Sequence, residues 1–203
     1  MKFSLSLIQA INDWQSSGLQ GTKSKYAQIL KSEAVSLEAR LKSPQVVCYR
    51  RIDLSGGFLF DLGLKYELSE GISSWTKDPR VAFTFNDGLP PKGWQGVIYA
   101  VTPKAENVVI DISALMNDTD FIRAVEANKT KIKNYNFGIG RFGDSEKEVV
   151  IELESVPNDS LFAYGGLSSL VGGEFWICQS DAVSRITEKL IQFSEILKPY
   201  RKK

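Results

Sequence analysis

The sequence predicts an α+β fold, a strand-rich body with helices at both ends, and three observations predict it. Apolar residues recur with helical spacing as far as Leu41, and beyond Ser43-Pro44 the period drops to two. Strand-forming runs then alternate with glycine-bearing turns through the middle of the chain. Short helices interrupt the strands, and a long helical period returns after about residue 181. Segregated runs of this kind give antiparallel or mixed sheets packed together, with helices flanking them. The domain reading is an N-terminal helical segment over 1–43, a core over 44–180, and a C-terminal amphipathic helix with a basic tail over 181–203.

Leu7, Ile8, Ile11 and Trp14 predict a first helix, which Gly18 and Gly21 interrupt. A second helix is predicted from about Ser24 to Leu41, its stripe formed by Tyr26, Ile29, Leu30, Ala34, Leu37 and Leu41. Pro44 stops it, and Val46 to Ile52 reads as a strand that places Arg50 among apolar neighbours. An arginine there is either snorkelling at a strand end or waiting for an anion.

Gly56-Gly57 and Gly63 mark turns before a strand over about Leu68 to Thr76. In that strand Ile72, Ser74 and Thr76 share one face and Ser73, Trp75 and Lys77 the other. Asp78 and Pro79 then open a short helix carrying Val81, Ala82 and Phe85. A loop over 86–96 with Trp94, strands over 96–102 and 107–112, and a helix over 121–128 follow.

Residues 134–144, with Gly138, Gly140 and Gly143, read as a shaped loop feeding a strand over 144–151. On that strand Val149, Ile151 and Leu153 share one face, and Glu146, Glu148, Glu152 and Glu154 the other. Two readings of this Glu-x-Glu stand: a solvated edge-strand face, or a carboxylate pair that stabilises a cation and orients a nucleophile at a sugar carbon. Strands over 161–164 and 174–178 come next, separated by the flexible pairs Gly165-Gly166 and Gly172-Gly173. The last helix carries Val183, Ile186, Leu190, Phe193 and Leu197, ends at Pro199, and leaves the tail Arg201-Lys202-Lys203.

Composition narrows the chemistry. There are no histidines, which excludes Ser-His-Asp and Cys-His nucleophile systems and most zinc sites. Two cysteines support neither a thiolate cluster nor a disulfide framework, and a reducing compartment is expected. Lys plus Arg is 25 against Asp plus Glu 24, so any polyanionic partner must be held by a local patch. The N-terminus lacks the apolar core of a signal peptide, and no stretch approaches a membrane span, so a cytoplasmic protein without a membrane partner is expected.

Three signals fall in order: Tyr49-Arg50 in an early strand, Ser74-Trp75-Thr76 followed by Asp78-Pro79-Arg80-Val81-Ala82, and Glu146-x-Glu148. Over about residues 45–180 this resembles the mono-ADP-ribosyltransferases of the Arg/Ser-Thr-Ser/Glu class. Two departures stand. Trp75 occupies the centre of the hydroxyl motif, and Arg51 takes a position where a glycine commonly follows the motif arginine, leaving Arg50 and Arg51 both open. The lack of histidine separates the chain from the superfamily's His-Tyr-Glu class.

The resemblance implies a fold of two packed sheets forming a cleft for NAD⁺, the substrate, with no metal. It implies that Glu148 hydrogen-bonds the ribose 2′-hydroxyl, that Ser74 orients Glu148 and shapes the nicotinamide pocket with Thr76 in support, and that Arg50 meets the pyrophosphate. It implies that Glu146 positions the acceptor, and that Arg141 and Phe142, in the loop before the glutamates, face that acceptor. A glutamate at 146 goes with a protein arginine as acceptor. The stretch from Lys129 to Phe142 interleaves Lys129, Lys131, Lys133 and Arg141 with Tyr135, Phe137 and Phe142, and such interleaving also suits single-stranded nucleic acid. A noncatalytic binding module of the same fold is the remaining alternative. A phage enzyme, a toxin held by an inhibitory partner protein and an injected effector all fit the resemblance.

Overall fold

The computed structural model describes residues 3–17, 23–55, 66–88, 90–91, 94–168 and 173–178. Helix α1 spans Leu5–Ser17 and α2 Lys23–Glu33. Strands β1 (Cys48–Ser55), β2 (Tyr66–Glu67) and β3 (Ile72–Thr76) precede α3 (Pro79–Thr84). Then come β4 (Trp94–Val101), β5 (Val108–Asp111), α4 (Ile112–Met116), α5 (Thr119–Asn128) and α6 (Ile139–Phe142). The described chain closes with β6 (Glu148–Glu152), β7 (Ser155–Val156), β8 (Leu161–Ser168) and β9 (Gly173–Cys178). The fold is α+β. The predicted turns at Gly18, Gly21, Gly56-Gly57 and Gly63, the glycine at 172, and the predicted C-terminal helix and basic tail lie outside the described residues.

The chain divides into two compact units. The first comprises 1–48, 67–79 and 102–155, so α1 and α2 belong to the same unit as the glutamate strand. Its strands run in the order β5-β6-β3, and β6 is antiparallel to both neighbours. Packed against them are Ile8, Ile11 and Trp14 of α1, Leu30 of α2, Leu115 of α4 and Phe121 of α5, each fully buried. At roughly 1.5–3 kcal/mol per large apolar side chain, this cluster is the main source of stability for the unit.

The second unit comprises 49–66, 80–101 and 156–203, with strand order β1-β4-β8-β9. Ala82, Ile98 and Ala163 form its small core, and Tyr49 packs edge-on to Phe162 with ring centroids 4.9 Å apart.

Several elements depart from the sequence expectation. The second helix ends at Glu33, because Leu37 and Glu38 turn to extended backbone (ψ 145° and 144°) between two short 3-10 turns. Its apolar stripe survives the break, since Ala34 and Leu41 stay buried at the same spacing. The strand expected over 68–76 begins only at Ile72, since 69–71 bend and β2 ends before Leu68. Strand β5 stops at Asp111, whose carboxylate accepts the Ala114 N–H at 2.8 Å and caps α4. The glycine-rich stretch expected as a loop contains a 3-10 turn over Tyr135–Phe137 and the single-turn α6. Gly165 and Gly166 are not a hinge but lie inside β8, paired with Trp176 and Phe175 of β9, because a ladder holds the backbone regardless of side chain.

The largest departure is at the glutamates. The strand begins at Glu148, not at Asp144, and Lys147 just before it has φ of 48°. A left-handed residue breaks the two-residue alternation, so Glu146 and Glu148 do not share a strand face. Residues 142–147 form turns instead, with Ser145 N–H bonded to Phe142 O at 2.8 Å and Lys147 N–H to Asp144 O at 3.2 Å.

One glycine sets how closely α1 approaches the chain. A Cβ on Gly138 would lie 2.2 Å from the Asn12 carbonyl oxygen and 2.5 Å from Asn12 Oδ1, both fixed by α1. A Cβ on Gly71 would meet nothing within 4 Å. Gly138→Ala should therefore cost about 1–3 kcal/mol, read as a lower urea midpoint, while Gly71→Ala stays within about 0.5 kcal/mol. Equal midpoints for the two variants would show that α1 is not seated on Gly138.

Candidate functional site

The site is built on the antiparallel pair β3 and β6, in which Thr76 stands opposite Glu148 and Ser74 opposite Val150. Alternation along β3 sends Ser74 and Trp75 to opposite faces, and the hydrogen bonds follow that division. Ser74 Oγ donates to Glu148 Oε1 in a very short contact, whereas Trp75 Nε1 donates to Ser73 Oγ at 3.1 Å on the other face. The bulky centre of the hydroxyl motif therefore leaves the Ser74 to Glu148 contact intact.

Glu148 is only 4% exposed. Strand β6 is flanked on both sides and buried through Ile151, so the reading of the glutamates as a solvated edge-strand face does not hold for Glu148. A carboxylate removed from water costs several kcal/mol unless donors replace the water. Three side chains supply them. Besides Ser74, Trp14 Nε1 donates to Oε1 at 2.8 Å, and Gln15 Nε2 reaches Oε2 at 3.4 Å. The same Gln15 amide donates to Gly143 O at 3.1 Å. The sequence pattern marks Trp14 only as an apolar helix position and does not single out Gln15. The signal that distinguishes them is the indole N–H and the amide on adjacent residues, and neither registers in a hydrophobic pattern.

Thr76 fixes the turn that delivers Glu148. Its hydroxyl donates to the Glu146 carbonyl at 2.6 Å and accepts the Asp78 N–H at 3.0 Å. Thr76 thus holds backbone, and Glu146, half-buried, is tied to β3 through its main chain. Lys77 N–H bonds Lys147 O at 3.0 Å, and Lys77 Nζ pairs with the buried Asp111 at 2.7 Å. Asp144, which opens the turn, is held below the usual carboxylate range: burial pushes it up, but hydrogen bonds from Lys147, Ser113 and Asn117 together outweigh that.

Arg141 is exposed, with its guanidinium 5.3 Å from the ring centre of half-buried Phe142. Lys129, Lys131 and Lys133 are exposed as well, and Phe137 is 58% exposed. Tyr135 instead packs against the core, with Lys129 Nζ 5.0 Å from its ring centre.

The two candidate arginines lie on β1. Arg51 is buried and committed within its own unit: Nε donates to Asp53 Oδ1 at 2.8 Å, and Nη1 to the carbonyls of Phe85 at 2.8 Å and Phe83 at 3.4 Å. Arg50 is half-buried. The structure brings Ser74, Thr76 and the two glutamates together in the first unit, while Arg50 belongs to the second.

Comparison with protein-family models, with curated proteins and with solved structures finds no match. No helix among the described residues is long and apolar enough to cross a membrane.

Cys48 offers no alternative nucleophile. Burial, and next the charge of Asp111, push its thiol up to about 12 against the pull of Lys77. The reactive form is the thiolate, so at pH 8 native Cys48 holds roughly 10³-fold less of it than an ordinary thiol. In a Cys178→Ser background, iodoacetamide should leave Cys48 unmodified in the native protein and alkylate it promptly in urea. The folded value lies above the unfolded one, so this thiol favours the fold below about pH 8.5 and loses that contribution as pH rises toward 12. Rapid native alkylation at pH 8 would contradict the burial.

Proposed function

We propose that the protein is a mono-ADP-ribosyltransferase that cleaves the nicotinamide–ribose bond of NAD⁺ and transfers ADP-ribose to a macromolecular acceptor. The observation that carries this reading is the buried Glu148 carboxylate, met by Ser74 from the antiparallel neighbour strand. Those are the residues to which the sequence resemblance gives the same partnership. The α+β architecture is compatible with it. The lack of histidine fits a reaction whose leaving group needs no protonation.

The chemistry follows from the bond that breaks. The C–N bond electrons leave with nicotinamide, which departs neutral, and positive charge develops on the ribose. Glu148 accepts from the 2′-hydroxyl and places negative charge beside that cation. Glu146, on the turn before the strand, orients the acceptor and takes up its proton as the new bond to the anomeric carbon forms. Arg50 is assigned the pyrophosphate, which suits a planar guanidinium fork. The setting we favour is a cytoplasmic or delivered enzyme restrained by an inhibitory partner protein or by a narrow target range.

Nicotinamide release tests the assignment. Wild-type protein should release it from NAD⁺, and Glu148→Gln should abolish release with an unchanged circular-dichroism spectrum. Glu146→Gln should keep hydrolysis and lose transfer, because water needs no orientation. Arg50→Ala should weaken NAD⁺ binding by about 1.5–3 kcal/mol, as expected for one charged hydrogen bond. A wild-type protein that neither hydrolyses NAD⁺ nor gives heat on titration with it would point to a noncatalytic binding module instead.

Protein arginine is the acceptor implied by Glu146. One observation favours a second reading, nucleic acid: Phe137 stands exposed in the same segment as exposed Lys131 and Lys133, offering a ring to stack a base and cations to follow phosphates. Replacing Lys129, Lys131, Lys133 and Arg141 together decides between them. Hydroxylamine-sensitive label on protein that persists in this variant supports arginine. Label on RNA or DNA that weakens steeply with salt and disappears in the variant supports nucleic acid.

A further inference from the structure

We infer that α1 is part of the proposed active centre, with Trp14 and Gln15 as positioning residues that leave one oxygen of Glu148 to meet the substrate. The inference rests on the transferase reading for its catalytic consequence, and on geometry alone for the positioning. Trp14 Nε1–H can only donate, and it donates to Oε1 at 2.8 Å. The Ser74 hydroxyl donates to the same oxygen. A carboxylate oxygen has two lone-pair directions, so Oε1 is filled from inside the protein. Oε2 carries only the long 3.4 Å contact from Gln15 among the described residues, and is the oxygen with capacity for a ligand hydroxyl.

Gln15 extends the control to the chain ahead of the glutamates. Its Nε2 lies between Gly143 O and Glu148 Oε2, two acceptors, so the amide orientation is fixed: the flipped form would set oxygen against oxygen. The opposite Gln15 oxygen is buried with no hydrogen-bond partner among the described residues. Orphaning a buried acceptor is costly, and an element kept only for packing would carry an apolar residue here. One and two turns back along α1, Asn12 and Gln9 grip the same segment. Asn12 Nδ2 donates to Lys133 O at 2.9 Å and its Oδ1 accepts the Ile139 N–H at 3.0 Å. Gln9 Oε1 accepts the Lys133 N–H at 2.8 Å and its Nε2 reaches Lys133 O at 3.2 Å. A polar ladder of Gln9, Asn12 and Gln15 thus fastens 133–143, the stretch proposed to face the acceptor, to the helix that holds Glu148.

The test is Trp14→Phe, which keeps an aromatic ring in the core and deletes the N–H, alongside Gln15→Met, which keeps volume and deletes the amide. Each should lower kcat for nicotinamide release about 10- to 100-fold, with KM for NAD⁺ within about threefold, because the lost bonds orient the reacting group rather than bind the dinucleotide. The indole ¹H–¹⁵N resonance of Trp14, identified by its loss in Trp14→Phe, should move in Glu148→Gln, while the other tryptophan resonances stay in place. A kcat unchanged in both variants of an active enzyme, or a Trp14 resonance indifferent to Glu148→Gln, overturns the inference. If Trp14→Phe does not fold, Gln15→Met and the resonance of the Glu148→Gln protein still decide. If the wild type proves inactive toward NAD⁺, the transferase reading fails by itself, and the resonance separately reports whether Trp14 holds Glu148.

Discussion

The constraint on which the first unit turns is a carboxylate kept almost out of water on an interior strand. Glu148 is 4% exposed, and its hydrogen-bond partners among the described residues are a hydroxyl, an indole and an amide. Neutral donors compensate desolvation without quenching the charge, which an arginine or lysine in the same place would do. That arrangement suits a group whose task is to present negative charge to something that arrives later. It also makes the position demanding, because every donor removed leaves part of the desolvation cost unmet.

The demand explains why a helix far away in sequence is bound so specifically to the glutamate strand. Helix α1 supplies an apolar face in Leu7, Ile8, Ile11 and Trp14, which drives burial, and a polar ladder, which fixes where the helix must sit. Apolar contact tolerates sliding and hydrogen bonds do not. The close approach at Gly138 gives the same result from the opposite side, since no side chain fits between that residue and Asn12. The turn over 142–147 is pinned by Thr76, by the Lys77 to Lys147 backbone bond and by Asp144, so Glu148 enters its strand from a shaped approach rather than a slack one. The left-handed Lys147 is what that approach costs in backbone strain.

The break in alternation at Lys147 also divides the two glutamates by environment. Glu148 is a strand residue, buried and surrounded by donors, while Glu146 is half-buried on a turn whose carbonyl is held by Thr76. Two carboxylates side by side on one face would repel and share one environment. A turn between them lets one be held rigid while the other keeps access to solvent. In the proposed reaction this is the division required between a group that steadies a developing cation and one that receives an incoming nucleophile.

Much of this was legible in the sequence. The switch of period at Pro44 marked where strands begin, and two-residue alternation placed Ser74 and Trp75 on opposite faces. These are local properties, set by backbone geometry within a few residues, and a sequence states them directly. What tertiary structure decided concerns partners far apart in the chain. Hydrophobic pattern counts Trp14 as an apolar position and ignores its N–H, so its bond to Glu148, 134 residues away, has no local signature. The same holds for Arg51, whose bonds to Asp53 and to the carbonyls of Phe83 and Phe85 exist only once the chain is folded. A left-handed lysine has no sequence mark either, because Lys147 adopts it in a turn whose carbonyl is held by the distant Lys77 N–H rather than by its own preference. Which groups were available is written in the chain; burial and distant donors decided which of them enter the core, because desolvation depends on everything that surrounds a group in space.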